Sequence, residues 1–188
     1  MNRQLALIVG ILFVACHATV SRTSQGPESA YAAATGNEAS AAKEGFERLQ
    51  ALAAKNDSMA MNLLGQLHLS GTAVARNPVS AFRLFAEADS LGCAAASLNL
   101  GKCLFNGVGT ARDLAQATAA FRRATASRDP HAWLMLGAAL SEETPELDYG
   151  QDAIEAFHNA GLGGLDLGYE QLAIAAFRDD RPNPLVPR

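Results

Sequence analysis

Residues 96–124, ASLNLGKCLFNGVGTARDLAQATAAFRRA, contain the clearest copy of a pattern that recurs along the chain. Its first half recurs 36 residues earlier as AMNLLGQLHLSGT, residues 60–72, and 36 residues later as AWLMLGAALSEET, residues 132–144. Recurrence at a fixed spacing of about 20–50 residues is typical of repeat proteins. The chain is therefore predicted to consist of repeated structural units.

The second half of the unit repeats with the same interval. One interval before the first complete copy, Gly45, Leu49 and Leu52 occupy the corresponding positions. The aligned sets are Leu64, Leu100 and Leu136; Gly65, Gly101 and Gly137; Gly71 and Gly107, opposite Glu143; Ala81, Ala117 and Ala153; Phe85, Phe121 and Phe157; and Ala88, Ala124 and Ala160. This many matches at one spacing indicate true repeats.

Each half of the unit has the periodicity of a helix. Between Asn77 and Gly92 the apolar residues recur at steps of three and four, which places them on one side of a helix. Asn77 and Asp113 are predicted N-caps, and Gly92 a C-terminal stop. First helices are predicted near 58–69, 94–105, 131–141 and 166–177, and second helices near 40–55, 78–91, 114–127 and 150–161.

One helical pair cannot cover its own apolar side, so neighbouring pairs must stack into a solenoid. The repeated glycines and alanines allow the helix axes to approach closely. The composition agrees with an all-α fold, since the chain is 49% hydrophobic but only 6% aromatic. Such a shortage of bulky strand-forming residues disfavours a β-sandwich or barrel.

The segment 96–124 resembles a Sel1-like repeat (SLR), a relative of the tetratricopeptide repeat. The resemblance covers about residues 40–177, and the third copy lacks the G-x-G loop. It implies a right-handed α-α superhelix of about three repeats plus flanking helices, which acts as an adaptor and not as an enzyme. The residues that match the family pattern are Ala96, Leu100, Gly101, Gly107, Gly109, Asp113, Ala117, Phe121 and Ala124.

The N-terminus is predicted to be an export signal. Arg3 precedes the apolar run LALIVGILFVA, residues 5–15, which is too short to cross a bilayer. Cleavage after residue 18 would release a soluble product, whereas cleavage after residue 15 would leave a lipidated Cys16. The mature chain is thus expected in the periplasm, on the outer membrane as a lipoprotein, or secreted.

The remaining boundaries follow from composition. Residues 19–39 are rich in Ser, Gly, Ala and Thr and are predicted to be a flexible tether. The solenoid is assigned to residues 40–178. Residues 179–188 contain three prolines and are predicted to be a mobile tail.

The charge distribution excludes some partners and suggests others. Fifteen Lys and Arg against 19 Asp and Glu give a net charge of −4, which argues against nucleic-acid binding. Residues 76–128 carry seven basic and three acidic side chains, whereas residues 129–177 carry nine acidic ones and no Lys or Arg. A solenoid would display this as a basic middle and an acidic end. Such a surface either keeps the protein soluble or orients a protein partner.

The motifs that suggest catalysis are weak. Ser40 and Lys43 have the S-x-x-K spacing of penicillin-recognising enzymes, and some cysteine-rich SLR proteins act on β-lactams, but S-D-N and K-T-G motifs are absent. Cys93 and Cys103, ten residues apart in a largely helical stretch, are too distant for a disulfide, and Cys103 is expected to be a small buried hydrophobe.

Metal binding is also weakly supported. The histidines lack ligand spacing, and the acidic residues between Glu142 and Asp148 do not have the spacing of a calcium loop. We therefore expect no enzyme activity, no metal and no cofactor.

The predicted function is that of an exported adaptor that binds a protein or peptide in its concave groove. Four polar residues off the repeated core positions are the candidate contacts: Asn62, Gln66, Asn99 and Lys102. Two alternatives remain: a protein that binds β-lactams or cell-wall ligands, and a structural envelope lipoprotein attached through Cys16.

Overall fold

The computed structural model describes residues 26–143 and 150–171, in which the regular structure is helical and no strand occurs. None of the helices in these two segments is long and apolar enough to span a membrane. The helices are α1 (Pro27–Ala34), α2 (Ala39–Ala53), α3 (Ser58–Ser70), α4 (Pro78–Ser90), α5 (Ala94–Asn106), α6 (Leu114–Ala124), α7 (Pro130–Glu143) and α8 (Gln151–Leu162). A short 3₁₀ turn, Thr125–Ser127, follows α6, and residues 166–171 are again helical.

Consecutive helices pair into four hairpins, namely α1 with α2, α3 with α4, α5 with α6, and α7 with α8. The second helices α2, α4 and α6 also pack against the first helix of the next hairpin. This arrangement confirms the predicted all-α solenoid. The first helices α1, α3, α5 and α7 contact one another in sequence, and no two second helices of the described chain pack together as extensively. The first helices therefore line the inner side of the stack.

Polar side chains cap four of the helices, including α7, where Asp129 accepts a hydrogen bond from the His131 amide at 2.9 Å. Asp57 accepts a hydrogen bond from the Ala60 amide at 3.0 Å, and Asn77 accepts one from the Ser80 amide at 3.0 Å. Asp113 accepts one from the Gln116 amide at 2.9 Å. Such bonds satisfy backbone donors that have no partner within the helix. The predicted caps Asn77 and Asp113 are thus confirmed.

A left-handed residue follows every second helix at the repeat interval. Asn56, Gly92, Arg128 and Gly164 have φ angles of 61°, 83°, 58° and 93°. Residues in this conformation stop a helix and turn the chain towards the next one. The stop predicted at Gly92 is confirmed, and Arg128 performs the same turn without the conformational freedom of glycine.

In the core of each complete hairpin, an aromatic ring of the second helix packs against a glycine of the first helix. A methyl group at Gly65 would lie 2.5 Å from Cε1 of Phe85, and one at Gly101 would lie 2.5 Å from Cε1 of Phe121. Phe85 and Phe121 are both fully buried. Only glycine leaves room for these rings, so the repeated Gly and Phe positions act together, as the close approach of the helices requires.

The solenoid begins earlier than the sequence predicted. Residues 27–34 were assigned to the flexible tether 19–39, but they form α1, which packs on α2 much as α3 packs on α4. Ala30 and Ala34 are buried, and a methyl group on Gly45 would lie 2.4 Å from the Ala30 carbonyl oxygen. The tether prediction is therefore wrong for α1, because its small residues allow close packing on α2 without a marked apolar stripe.

The other boundary predictions lie mostly outside the described residues. These are the signal sequence 1–18, lipidation at Cys16, the first part of the tether and the tail 179–188. The predicted first helix at 166–177 is helical over its described portion, residues 166–171.

Candidate binding surface

The inner side of the stack is formed by α1, α3, α5 and α7. Two of these helices, α3 and α5, carry the polar residues identified as candidate contacts in the sequence. Asn62 and Gln66 lie one turn apart on α3, and Asn99 and Lys102 lie about one turn apart on α5. Residues at these spacings share a helix face. Gln66 and Lys102 occupy equivalent positions in successive repeats.

The structure brings two of the four candidates into direct contact. The side-chain amide nitrogen of Asn99 donates to the side-chain oxygen of Asn62 at 2.8 Å, which links adjacent hairpins. Asn99 is partly buried, but Asn62 is only 2% exposed. The Asn62 side chain is therefore largely buried at the contact between α3 and α5, and only Asn99 of this pair is substantially accessible.

Gln66 and Lys102 remain accessible. Gln66 is partly buried and Lys102 is exposed. Lys102 is the only Lys or Arg on α3, α5 or α7, and its ammonium pairs with no carboxylate of the described residues. The inner side therefore presents amide groups next to one uncompensated positive charge.

Two arginines stabilise the loops that follow α3 and α5, a role that their sequence context was not used to predict. Arg76 Nε donates to the Leu69 carbonyl oxygen at 3.0 Å, and Arg112 Nε donates to that of Phe105 at 2.9 Å. The Arg112 guanidinium also lies 5.5 Å from the centre of the Phe105 ring, a cation–π distance. Their spacing of 36 residues was the available signal for this structural role.

Ion pairs connect neighbouring hairpins. Some of the basic side chains of residues 76–128 therefore stabilise the stack. Asp89 on α4 receives two hydrogen bonds from Arg123 on α6, at 2.8 and 3.0 Å, and a third from the Ser97 hydroxyl on α5. Arg122 pairs with Asp152 at 3.0 Å. Arg112 also pairs with Glu142, and the Thr118 hydroxyl donates a hydrogen bond to the Glu143 carboxylate.

The residues weighed for chemistry are not assembled into a site. Ser40 and Lys43 are exposed on α2, and Lys43 lies 3.9 Å from Glu47 in an ion pair. Cys93 and Cys103 are free and buried, as expected, and burial raises the pKa of the Cys103 thiol. A group of three or more His, Cys, Asp or Glu side chains able to hold a metal ion is absent from the described part of the chain.

The class defined by this architecture is the helical-repeat solenoid. Within that class, the family model for the Sel1 repeat matches residues 58–93 and 94–126. The first match corresponds to the α3–α4 hairpin and the second to the α5–α6 hairpin with the turn after it. Residues 58–126 thus match two Sel1 repeats, which confirms the resemblance noted in this part of the sequence. None of the curated proteins compared with the chain matches it significantly.

Two solved structures show the same fold. A Sel1 repeat protein from Oxalobacter formigenes is 22% identical with a TM-score of 0.62, and the alignment covers 70% of this chain and 53% of that one. A protective antigen of uropathogenic Escherichia coli that displays an SLR fold is 19% identical with a TM-score of 0.67, covering 74% of this chain and 30% of that one. The present chain therefore spans about half of the first protein and under a third of the second.

Proposed function

We propose that the chain is a scaffold that binds a segment of another protein across the inner surface formed by α3, α5 and α7. The observation that carries this proposal is the group of polar side chains on α3 and α5, among which the Lys102 ammonium pairs with no carboxylate of residues 26–143 and 150–171. Sel1 repeats are typically interaction scaffolds, and the family assignment supports the same conclusion.

The packing suits a preformed surface. Several contacts hold the helices in place. Glycine–phenylalanine contacts join the two helices of a hairpin, and neighbouring hairpins are joined by the Asn62–Asn99 hydrogen bond and the bidentate Asp89–Arg123 pair. A surface that is already ordered loses little conformational entropy when it binds. A partner segment would therefore meet side chains that are held in place by the fold.

Site-specific photo-crosslinking tests this role. A photoreactive amino acid at Gln66 probes the inner surface, and one at Arg83, which is exposed on α4, serves as the matched outer control. In cells that produce the chain we expect protein adducts from position 66 and none from position 83. Equal adduct yields from the two positions, or none from position 66, would contradict the proposal.

Export is part of the proposed function and rests on the sequence. The short apolar run behind Arg3 supports removal of the N-terminus, either after residue 18 or before a lipidated Cys16. Intact-mass analysis of the chain from a membrane and a soluble fraction distinguishes the two products. The lipoprotein form would carry acyl chains at Cys16, and retention of residues 1–15 would contradict export.

The β-lactam alternative predicts chemistry at Ser40 and Lys43. Their exposure on α2, and the pairing of Lys43 with Glu47, provide no enclosed site for acylation. A chromogenic cephalosporin should therefore remain intact in the presence of the chain, and labelled penicillin should leave its mass unchanged. Turnover, or an adduct lost in a Ser40→Ala variant, would support the alternative.

A further inference from the structure

Asn62 is a polar exception at a position that is otherwise apolar. The equivalent residues one and two repeats later are Leu98 and Leu134. Asn62 is nevertheless almost completely enclosed, with an exposed fraction of 2%. Burying an amide in place of leucine is unfavourable unless its hydrogen-bonding groups are used. The substitution therefore requires an explanation beyond packing.

The hydrogen bond to Asn99 uses only part of this amide. Asn62 accepts through its side-chain oxygen, and its amide nitrogen donates to no residue of the described segments. That nitrogen is also not a fully enclosed atom, since His68 Nδ1 is the one enclosed side-chain polar atom without a partner there. The small exposed fraction of Asn62 thus includes this donor, which has no partner in the described segments.

Asn99 contributes the complementary group. It uses its amide nitrogen to reach Asn62, and its side-chain oxygen accepts no hydrogen bond within the described chain. The bonded pair therefore leaves one donor, on Asn62, and one acceptor, on Asn99, without a partner in the described segments. A peptide unit has the matching C=O acceptor and N–H donor, and these are free in an extended segment but occupied within a helix.

Lys102 provides a charge beside this pair. It lies three residues after Asn99 on α5, so the two side chains share a face of the helix. Lys102 is exposed and has no acidic partner in the described structure, whereas Arg112 and Arg122 are each paired with a carboxylate. An acidic side chain on a bound segment would compensate the ammonium.

We propose that the inner surface binds an extended, acidic peptide segment, with the Asn62–Asn99 pair bonding one peptide unit and Lys102 pairing with a neighbouring Asp or Glu side chain. This inference rests on the proposed function and specifies its ligand. The recognition combines main-chain hydrogen bonds, which give affinity to any extended sequence, with one charge contact that selects among sequences.

Fluorescence anisotropy with two labelled pools of 12-residue peptides tests the inference on the purified chain. One pool has Asp or Glu at every third position, and the matched pool has Lys at the same positions. We expect the acidic pool to bind at least tenfold more tightly. Lys102→Glu should reverse this preference, whereas Arg83→Glu, the same charge change on the exposed side of α4, should leave it unchanged.

Asn62→Leu tests the amide pair separately, because leucine is the residue found at positions 98 and 134. This variant should fold with an equal or higher Tm and lose at least tenfold in affinity for the acidic pool. Asn99→Ala, at a partly buried position, should show the same loss and serves as the second variant if Asn62→Leu misfolds.

The possible failures are distinguishable. If the two pools bind alike, if neither binds, or if folded Asn62→Leu and Asn99→Ala keep full affinity, this inference is wrong. The scaffold role would still stand if crosslinks from Gln66 persist. Loss of those crosslinks as well would remove both proposals.

Discussion

At the scale of single residues, equivalent positions of the repeat share a backbone conformation even where their amino acids differ. Asn56, Gly92, Arg128 and Gly164 all turn left-handed after a second helix, yet only two of them are glycine. Asparagine tolerates this region, whereas arginine is strained in it. Gly92 was identifiable as a helix stop because glycine favours that conformation. Arg128 was not, since only its position in the repeat marks the turn.

This comparison predicts that Arg128→Gly stabilises the chain. Removing the left-handed strain at φ 58° should gain about 0.5–1 kcal/mol in the free energy of unfolding. Gly92→Ala is the reciprocal control, because a methyl group there has open space and feels only the backbone conformation. It should lose about 1 kcal/mol. Urea denaturation measures both, and a destabilised Arg128→Gly would contradict the argument.

Cys103 predicts a dependence on pH. Burial raises the pKa of its thiol, so at neutral pH the folded chain holds less thiolate at this position than the unfolded chain does. The stabilisation from keeping the thiol neutral is complete below the pKa of the unfolded state, about 8.5, and declines as the pH rises above it.

Thiol labelling measures this effect directly. Cys103 should react slowly with a thiolate-selective reagent in the folded chain and rapidly after denaturation, with peptide mapping to separate it from Cys93. Replacement by Ala should reduce the loss of stability between pH 7 and pH 10. Rapid labelling of Cys103 in the native chain would show that it is not buried.

At the scale of helices, the decisive contact is the phenylalanine of one helix on the glycine of its partner. Alanine is normally favoured over glycine within a helix by about 1 kcal/mol. In Gly101→Ala the new methyl group would instead meet the Phe121 ring. We expect a net loss of about 1–3 kcal/mol, since overpacking a core of this kind outweighs helix propensity.

A double variant identifies the cause of that loss. Phe121→Leu removes the part of the ring nearest to Gly101, so the combined variant should be more stable than the sum of the two single losses predicts. Thermal unfolding followed by circular dichroism measures all three variants. Strict additivity would show that the destabilisation arises elsewhere than at this contact.

Ion pairs between helices should differ in strength according to their burial. The Asp89 side chain is 11% exposed and joins α4 to α5 and α6, whereas Arg122 and Asp152 are 54% and 66% exposed. Asp89→Ala removes the carboxylate that accepts from the Ser97 hydroxyl and the Arg123 guanidinium, which keep only the backbone carbonyl oxygens of Cys93 and Ala119, and should lose about 1.5–3 kcal/mol.

Arg122→Gln is the matched control, because it removes one ion pair at an exposed position. It should change the free energy of unfolding by at most about 0.5 kcal/mol, as solvent screens the charges. Chemical denaturation compares the two variants. Equal losses would mean that burial does not determine the contribution of these pairs.

At the scale of the whole molecule, the predictions succeeded where the sequence shows the repeat interval. They failed where contacts between residues distant in sequence determine which side chains are buried. Sequence periodicity predicted the solenoid and most of its helices. It missed α1, whose alanines become buried only because Gly45 on the next helix admits them. The burial of Asn62 likewise depends on how α3 packs against α5. The amino-acid type showed that position 62 is polar, but it could not show whether this side of α3 faces solvent or the neighbouring helix.

A stack in which each hairpin touches only its neighbours should lose stability locally when its end is disturbed. Gly45→Ala places a methyl group against the Ala30 carbonyl oxygen and the Ala34 amide nitrogen, which are backbone atoms and move only if α1 moves. Native-state hydrogen exchange should therefore show at least about tenfold weaker protection of α1 amides, equivalent to about 1.4 kcal/mol. Amides in α5 and α6 provide the internal control and should keep their protection, because they lie beyond the neighbouring hairpin. A uniform loss across all helices would instead mean that the solenoid opens as one cooperative unit.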